Sequence, residues 1–307
     1  MLLTWEAQAR PDHSMTQKQF SIISDEVSQE PAVVANFVRA FGLGGFELRS
    51  MFGRAFKDLT GRDVAEVRAL ADGEGWRIHG CATPVFKCEL EDKAAVLEHI
   101  EIFKRSLETA RELRCDLMRV FTFLRSQEPL SAQLADRIGS HLMVLADLAA
   151  AAGMRLGVEN ESSCRVGSGA EMLLLGKSFA HPSAGWIWDP CNVLYVPGES
   201  GSATADFSKL YDRIIHIHVK DAVATLGGTS LASASPVGSG DVGWGEHLKE
   251  IRRSGYKGLI SLETHWRKKA LDTGLLHLPA GDAFSAGGDE ASRICMKLLL
   301  DLWQAAA

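Results

Sequence analysis

Two hydrophobic rhythms alternate along the chain. From Phe20 onward, short β-branched or apolar runs are followed by longer segments whose apolar residues recur at helical spacing, the pattern of repeated βα units around a parallel sheet. Strands are predicted at 20–24, 45–48, 76–80, 117–121, 155–158, 185–188, 214–218 and 258–262. Helices are predicted at 31–41, with Val33, Val34, Phe37 and Val38 on one face, and at 63–74, 93–113, 130–152, 169–179, 207–211, 244–254 and 292–303. Gly42, Gly153 and Gly255 stand where helices should stop, each just ahead of a strand. Eight strands, each followed by a helix and with no Pro/Ser-rich linker between them, predict a single (β/α)8 TIM barrel over 19–307, preceded by a loose extension over 1–18. An open doubly wound sheet fits less well, because nothing after the first strand resembles a glycine-rich phosphate turn. Two long loops, 223–241 and 264–290, leave the carboxyl ends of strands, the face on which barrel enzymes keep their active sites.

Composition narrows the partners. Of the 307 residues, 46% are hydrophobic and 23% charged, enough apolar surface for a large core. Lys and Arg number 33 against 39 Asp and Glu, a net charge of -6 that leaves no basic footprint for nucleic acid. Six cysteines without CxxC spacing read as reduced thiols in a cytoplasmic protein. No apolar run is long enough to span a membrane, and the first residues lack the basic start and apolar core of a secretory signal.

Four residues at predicted strand ends carry the chemistry: Glu159 ending RLGVE, Asp189 ending GWIWD, His218 in IIHIH and Glu263 ending GLISLE. On a barrel they converge from strands five to eight. Three carboxylates at one mouth repel one another unless a cation is shared, so the set is read as the ligands of one divalent metal ion, with Mn2+ or Mg2+ favoured by the oxygen donors and Zn2+ or Co2+ also compatible. Of the two histidines, His218 lies nearer the mouth, and His216 is expected one layer deeper as a hydrogen-bonded residue. His79 is expected to be a satisfied core or rim histidine. Lys87, Asn192, Lys220, His265, Trp266 and Arg267 also sit at strand ends and suit a hydroxylated small substrate, whereas Glu47, Arg49 and Arg119 are expected to form structural ion pairs, Glu47 with Arg119 for example.

The segments VENESSC, WDPCNVLY, RIIHIHVKDA, PVGSGDVGW and GYKGLISLETHW, in this order, resemble the sugar phosphate isomerase/epimerase superfamily, the xylose isomerase-like TIM barrels. TPVFK and MRVFTFLR are similar to its third and fourth strands. The resemblance implies that Glu159, Asp189, His218 and Glu263 are the family's metal ligands, with the two glutamates serving also as acid and base. The chain departs from the ketose 3-epimerases of that family, which follow the aspartate with D-x-x-H where this chain has Asn192, and which carry an arginine where this chain has Ala224. It departs from endonuclease IV as well, having Ala234, Ser235 and Pro236 in place of a D-x-H and no histidine at Phe121 or Thr122. The expected activity is isomerisation or epimerisation of a small keto- or hydroxy-sugar, or sugar phosphate, through an enediolate. A lyase or dehydratase acting on a keto-sugar, keto-inositol or 3-keto-glycoside, and a silent sugar-binding barrel, are the competing expectations. A homo-oligomer is compatible with the sequence, and the loop 264–290, with Trp266 and Arg267, is placed to close the mouth.

Overall fold

The computed structural model describes residues 17–198, 203–225, 232–269 and 281–306. Eight parallel strands form the barrel: β1 Phe20–Ile22, β2 Gly45–Leu48, β3 Arg77–Ala82, β4 Leu117–Val120, β5 Arg155–Glu159, β6 Ala184–Trp188, β7 Ile214–Val219 and β8 Leu259–Leu262. Their order is β1-β8-β7-β6-β5-β4-β3-β2, and a single bridge between Ile23 and Glu47 links the two ends of this sheet, so the barrel is nearly closed. The strands are almost wholly buried because side chains fill the inside and helices cover the outside.

Local chemistry explains where the helices begin and stop. Helix Gly61–Glu74 starts two residues before its predicted boundary because Thr60 and Asp63 form a reciprocal capping box, and Ser168 with Glu171 does the same for Gly169–Leu175. Ser131 caps Ala132–Ala151 and Asp92 caps Lys93–Glu112. Gly153 and Gly255, both at φ 72°, take the left-handed turn expected of them. Two helices begin earlier than predicted, at Ala203 rather than 207 and at Gly288 rather than 292, and run over Ala203–Leu210 and Gly288–Ala305. Conversely, β1 ends at Ile22 rather than 24, because the chain turns at once into a helical turn, Ser24–Glu26, that tucks Asp25 and Glu26 under the mouth, both fully buried.

Part of the first long loop is ordered around one carboxylate. Asp221–Ala224 pairs antiparallel with Ala232–Ser235, and Asp221 accepts N–H bonds from Ala222 (3.0 Å), Gly238 (2.8 Å), Gly240 (3.0 Å) and Val242 (3.3 Å). A Cβ on Gly240 would lie 2.3 Å from Asp221 Oδ1, so the wrap requires glycine. Residues 226–231 of that loop and 270–280 of the second lie outside the described residues, as does most of the 1–18 extension. No described helix is long and apolar enough to cross a membrane.

Candidate metal centre

Consecutive strands carry the four predicted residues to one point. Glu159 ends β5, Asp189 follows β6, His218 lies within β7 and Glu263 follows β8, all buried. One oxygen or nitrogen from each falls within 4.8 Å of the others. Asp189 doubles as the cap of the helical turn Pro190–Val193: its Oδ1 accepts the N–H groups of Cys191 and Asn192, which leaves Oδ2 for the site. Two buried oxygens, Glu159 Oε2 and Asp189 Oδ2, receive no directed hydrogen bond, although Arg119 lies 3.1 Å from the first and Lys220 2.6 Å from the second. Three carboxylates, one imidazole and unsatisfied oxygens fit a hard divalent cation.

Positive side chains surround the cluster. Lys220 Nζ lies between Asp189 Oδ2 and Glu263 Oε2, at 2.6 and 2.7 Å, and Arg49 donates to Glu263 Oε1 at 2.5 Å. Burial alone would raise the Glu263 pKa, but Lys220, His265 and Arg49 together hold this carboxyl well below the usual range. Asp189 goes the other way: burial, then the neighbouring Glu263 and Glu159 charges, push it up to about 6 against the pull of Lys220. His218 faces Glu159 with Nδ1 (2.9 Å) and Glu47 with Nε2 (3.1 Å). Its burial opposes charge, yet the Glu47 and Glu159 carboxylates raise its pKa well above the ordinary value.

Glu47 does not pair with Arg119, contrary to the sequence expectation. It reaches across the barrel to His216 Nε2 (3.0 Å) and His218 Nε2, while Arg119 turns to Glu159. Room for Glu47 comes from Gly80 on β3, where a Cβ would stand 3.2 Å from Glu47 Cγ. His216 is the deeper, hydrogen-bonded histidine that the strand alternation predicts, bonded to Glu47 and to Ser261 Oγ (3.1 Å). His79, held by Ser21 Oγ at 2.8 Å and lowered by burial to a pKa of about 4, is the expected core histidine.

The other predicted residues take different places. Lys87 lies 3.4 Å from Glu161 Oε2 and 4.5 Å over the Phe121 ring. Asn192 donates to the Asn160 carbonyl at 2.7 Å and shapes the turn behind Asp189. His265, with Nε2 3.5 Å from Glu263 Oε1, has a left-handed backbone (φ 46°), a conformation that costs a non-glycine residue about 1–3 kcal/mol and persists where the surroundings enforce it. Trp266 packs half-buried on the core, and Arg267, 1% exposed, is engaged by Glu26 Oε2 and the Phe284 carbonyl.

Sequence reasoning passed over Asp25 and Glu26. Asp25 and Glu26 accept from Arg49 at 2.9 and 2.7 Å, and Glu26 also binds Arg267 and the His265 backbone N–H at 3.0 Å, so this buried cluster seats both Arg49 and the start of the last loop. An acidic pair directly after β1, at the mouth where the other ligands emerge, is the signal that points to it. Glu26→Ala leaves two buried guanidiniums short of a partner and is expected to lower stability by about 3–5 kcal/mol, read from urea unfolding. Wild-type stability in that variant would mean the cluster is not structural.

Residues 35–283 match the family model described as xylose isomerase-like TIM barrel. No curated protein matches the chain in sequence. Among solved structures, the probable 3-DHS dehydratase AsbF from Bacillus anthracis is 18% identical, with 92% of this chain and 98% of that one covered and a TM-score of 0.67. A D-allulose 3-epimerase from Methylomonas sp. is 15% identical, with coverages of 92% and 97% and a TM-score of 0.68. The IOLI protein, solved with a bound zinc atom, is 14% identical, with coverages of 94% and 99% and a TM-score of 0.71. With the barrel, the strand-end residues and a family match over most of its length, the chain belongs to the xylose isomerase-like TIM barrel family.

Proposed function

We propose that the chain is a metal-dependent isomerase or epimerase that moves a proton beside the carbonyl of a small keto- or hydroxy-sugar, with Glu159, Asp189, His218 and Glu263 as ligands of one divalent ion. The observation that carries this reading is the convergence of one donor atom from each residue within 4.8 Å. The oxygen-rich set favours Mn2+ or Mg2+, and the zinc in the similar IOLI structure supports Zn2+ as a further candidate. Such an ion supplies charge stabilisation for a carbonyl and a neighbouring hydroxyl, acidifying the C–H between them. Glu263, kept ionised by Lys220, His265 and Arg49, is the base that takes the proton. Glu159, reaching in from β5 with Arg119 at one oxygen and His218 at the other, takes a proton from solvent and delivers it on the opposite face, while Glu263 gives up the abstracted proton to solvent, so each turnover is proton-neutral. Lys220, His265 and Lys87 hold substrate oxygens, Trp266 gives an apolar wall, Asn192 fixes the turn that carries Asp189, and Arg267 steadies the loop through Glu26. Solvent deuterium uptake into a panel of ketoses, keto-inositols and 3-keto-glycosides by the metal-loaded protein tests the reading. Uptake that survives complete removal of metal would contradict it.

Elimination is the second reading, favoured by one observation. Where the resemblance to the ketose 3-epimerases implies a histidine, Asn192 stands with its Nδ2 donating to the Asn160 backbone carbonyl, and an amide cannot exchange a proton as an imidazole does. Elimination gives a conjugated, ultraviolet-absorbing enone, whereas epimerisation changes only optical rotation.

Metal uptake should release a proton. Carboxylates on both sides raise the His218 pKa, so near neutral pH the free protein holds an extra proton there that must leave before a ring nitrogen can ligate. Affinity for Mn2+ is therefore expected to rise with pH through the neutral range, with about one proton released per ion. Calorimetry in buffers of different ionisation enthalpy measures this, and a pH-independent affinity without proton release would contradict the assignment of His218.

A further inference from the structure

At the opposite mouth, where the strands begin, the barrel opens into a pocket of about 530 Å³. That is the size of a small-molecule site. Lys18, Arg77, Arg155 and Lys257 stand around it, against two acids, Glu74 and Asp116. Glu74 is already held by Arg39 at 2.8 Å, and Asp116 is shared between Arg155 (3.3 Å) and Arg77 (3.9 Å). Lys18 and Lys257 have no ion-pair partner among the described residues, so the rim carries a positive surplus. Deeper in, the lining includes His79 and His216, 6% and 0% exposed. The Nε2 of His216 faces Glu47, and because a carboxylate only accepts, that nitrogen carries the ring proton. Nδ1 is left as a bare acceptor, and it has no hydrogen-bond partner. A buried acceptor calls for a hydroxyl donor, and the rim calls for negative charge.

We propose that this lower cavity binds a small hydroxylated anion of the sugar phosphate class, separate from the site at the upper mouth, and that His216 and Glu47 connect the two. The connection is physical: Glu47 Oε2 lies 3.0 Å from His216 Nε2 and 3.1 Å from His218 Nε2, so a ligand that shifts His216 shifts the carboxylate that orients His218. This second half rests on His218 as a metal ligand, whereas binding in the lower cavity does not.

Calorimetric titration of glucose 6-phosphate into the metal-free full chain tests the binding half. One-to-one binding is expected, weaker for inorganic phosphate, unchanged in Lys87→Ala at the upper mouth, and reduced about tenfold or more in Arg155→Ala/Lys257→Ala. Lys257→Glu, on an exposed side chain, gives a second variant should loss of the Arg155–Asp116 pair disturb folding, and it should weaken binding in the same direction. No binding at millimolar concentration, or binding lost in Lys87→Ala but kept in both lower-mouth variants, would overturn the site. A Mn2+ titration with and without glucose 6-phosphate tests the connection. A changed Mn2+ affinity, matched by an equal change in sugar phosphate affinity, is expected. Equal Mn2+ affinities would overturn the link, and absence of any Mn2+ binding would instead sink the metal reading while the lower site is judged on the first titration.

Discussion

Glu263→Gln at saturating metal is expected to lose about three orders of magnitude in turnover with little change in KM, the size and form of a missing general base. Glutamine keeps the shape of the side chain but cannot take a proton, and it no longer satisfies the Lys220 ammonium at Oε2 and the Arg49 guanidinium at Oε1 as an anion would. The variant should therefore also unfold at lower temperature, and a thermal midpoint measured beside the kinetics separates the two effects. A folded, metal-loaded Glu263→Gln protein with near-normal turnover would remove Glu263 from the chemistry.

The second large effect concerns the two histidines of β7. His218→Ala is expected to weaken metal binding beyond the about 10–100-fold that loss of a supporting outer residue brings, and His216→Ala to stay within it. Both rings touch Glu47, but only His218 presents its other nitrogen to Glu159 and lies 3.9 Å from Glu263 Oε2. Competition with a chelating dye measures both constants. Equal losses would mean that His216 also ligates, for which the group Glu47, His216 and His218 offers the geometry.

Much of the fold is legible in the sequence. Short β-branched or apolar runs followed by helical periodicity put each of the eight strands within two residues of its observed bounds, and the polar residue closing four successive strands marked the candidate site, because strand ends on a barrel must converge. Contacts across the barrel axis were not legible. Glu47 on β2 meets His216 and His218 on β7 because the barrel closes, and no local spacing encodes which inward side chains oppose one another. The same holds for Glu26, whose partners come from elsewhere in the chain, Arg49 across the Ile23–Glu47 closure between β1 and β2 and Arg267 across the β1–β8 seam. The helix start missed by two residues, at Gly61 rather than 63, is explained by a side chain outside the apolar pattern, the Thr60 cap.

The ammonium of Lys220 lies beside the carboxylates that a cation would join. A crystal structure of the protein loaded with Mn2+, read from the anomalous signal of the ion, is therefore the most direct test of the metal centre. The account predicts one ion bonded to Glu159, Asp189, His218 and Glu263, with Lys220 drawn away from Asp189. A Mn2+-soaked crystal in which Lys220 still bridges Asp189 and Glu263, with no ion among the four residues, would contradict it.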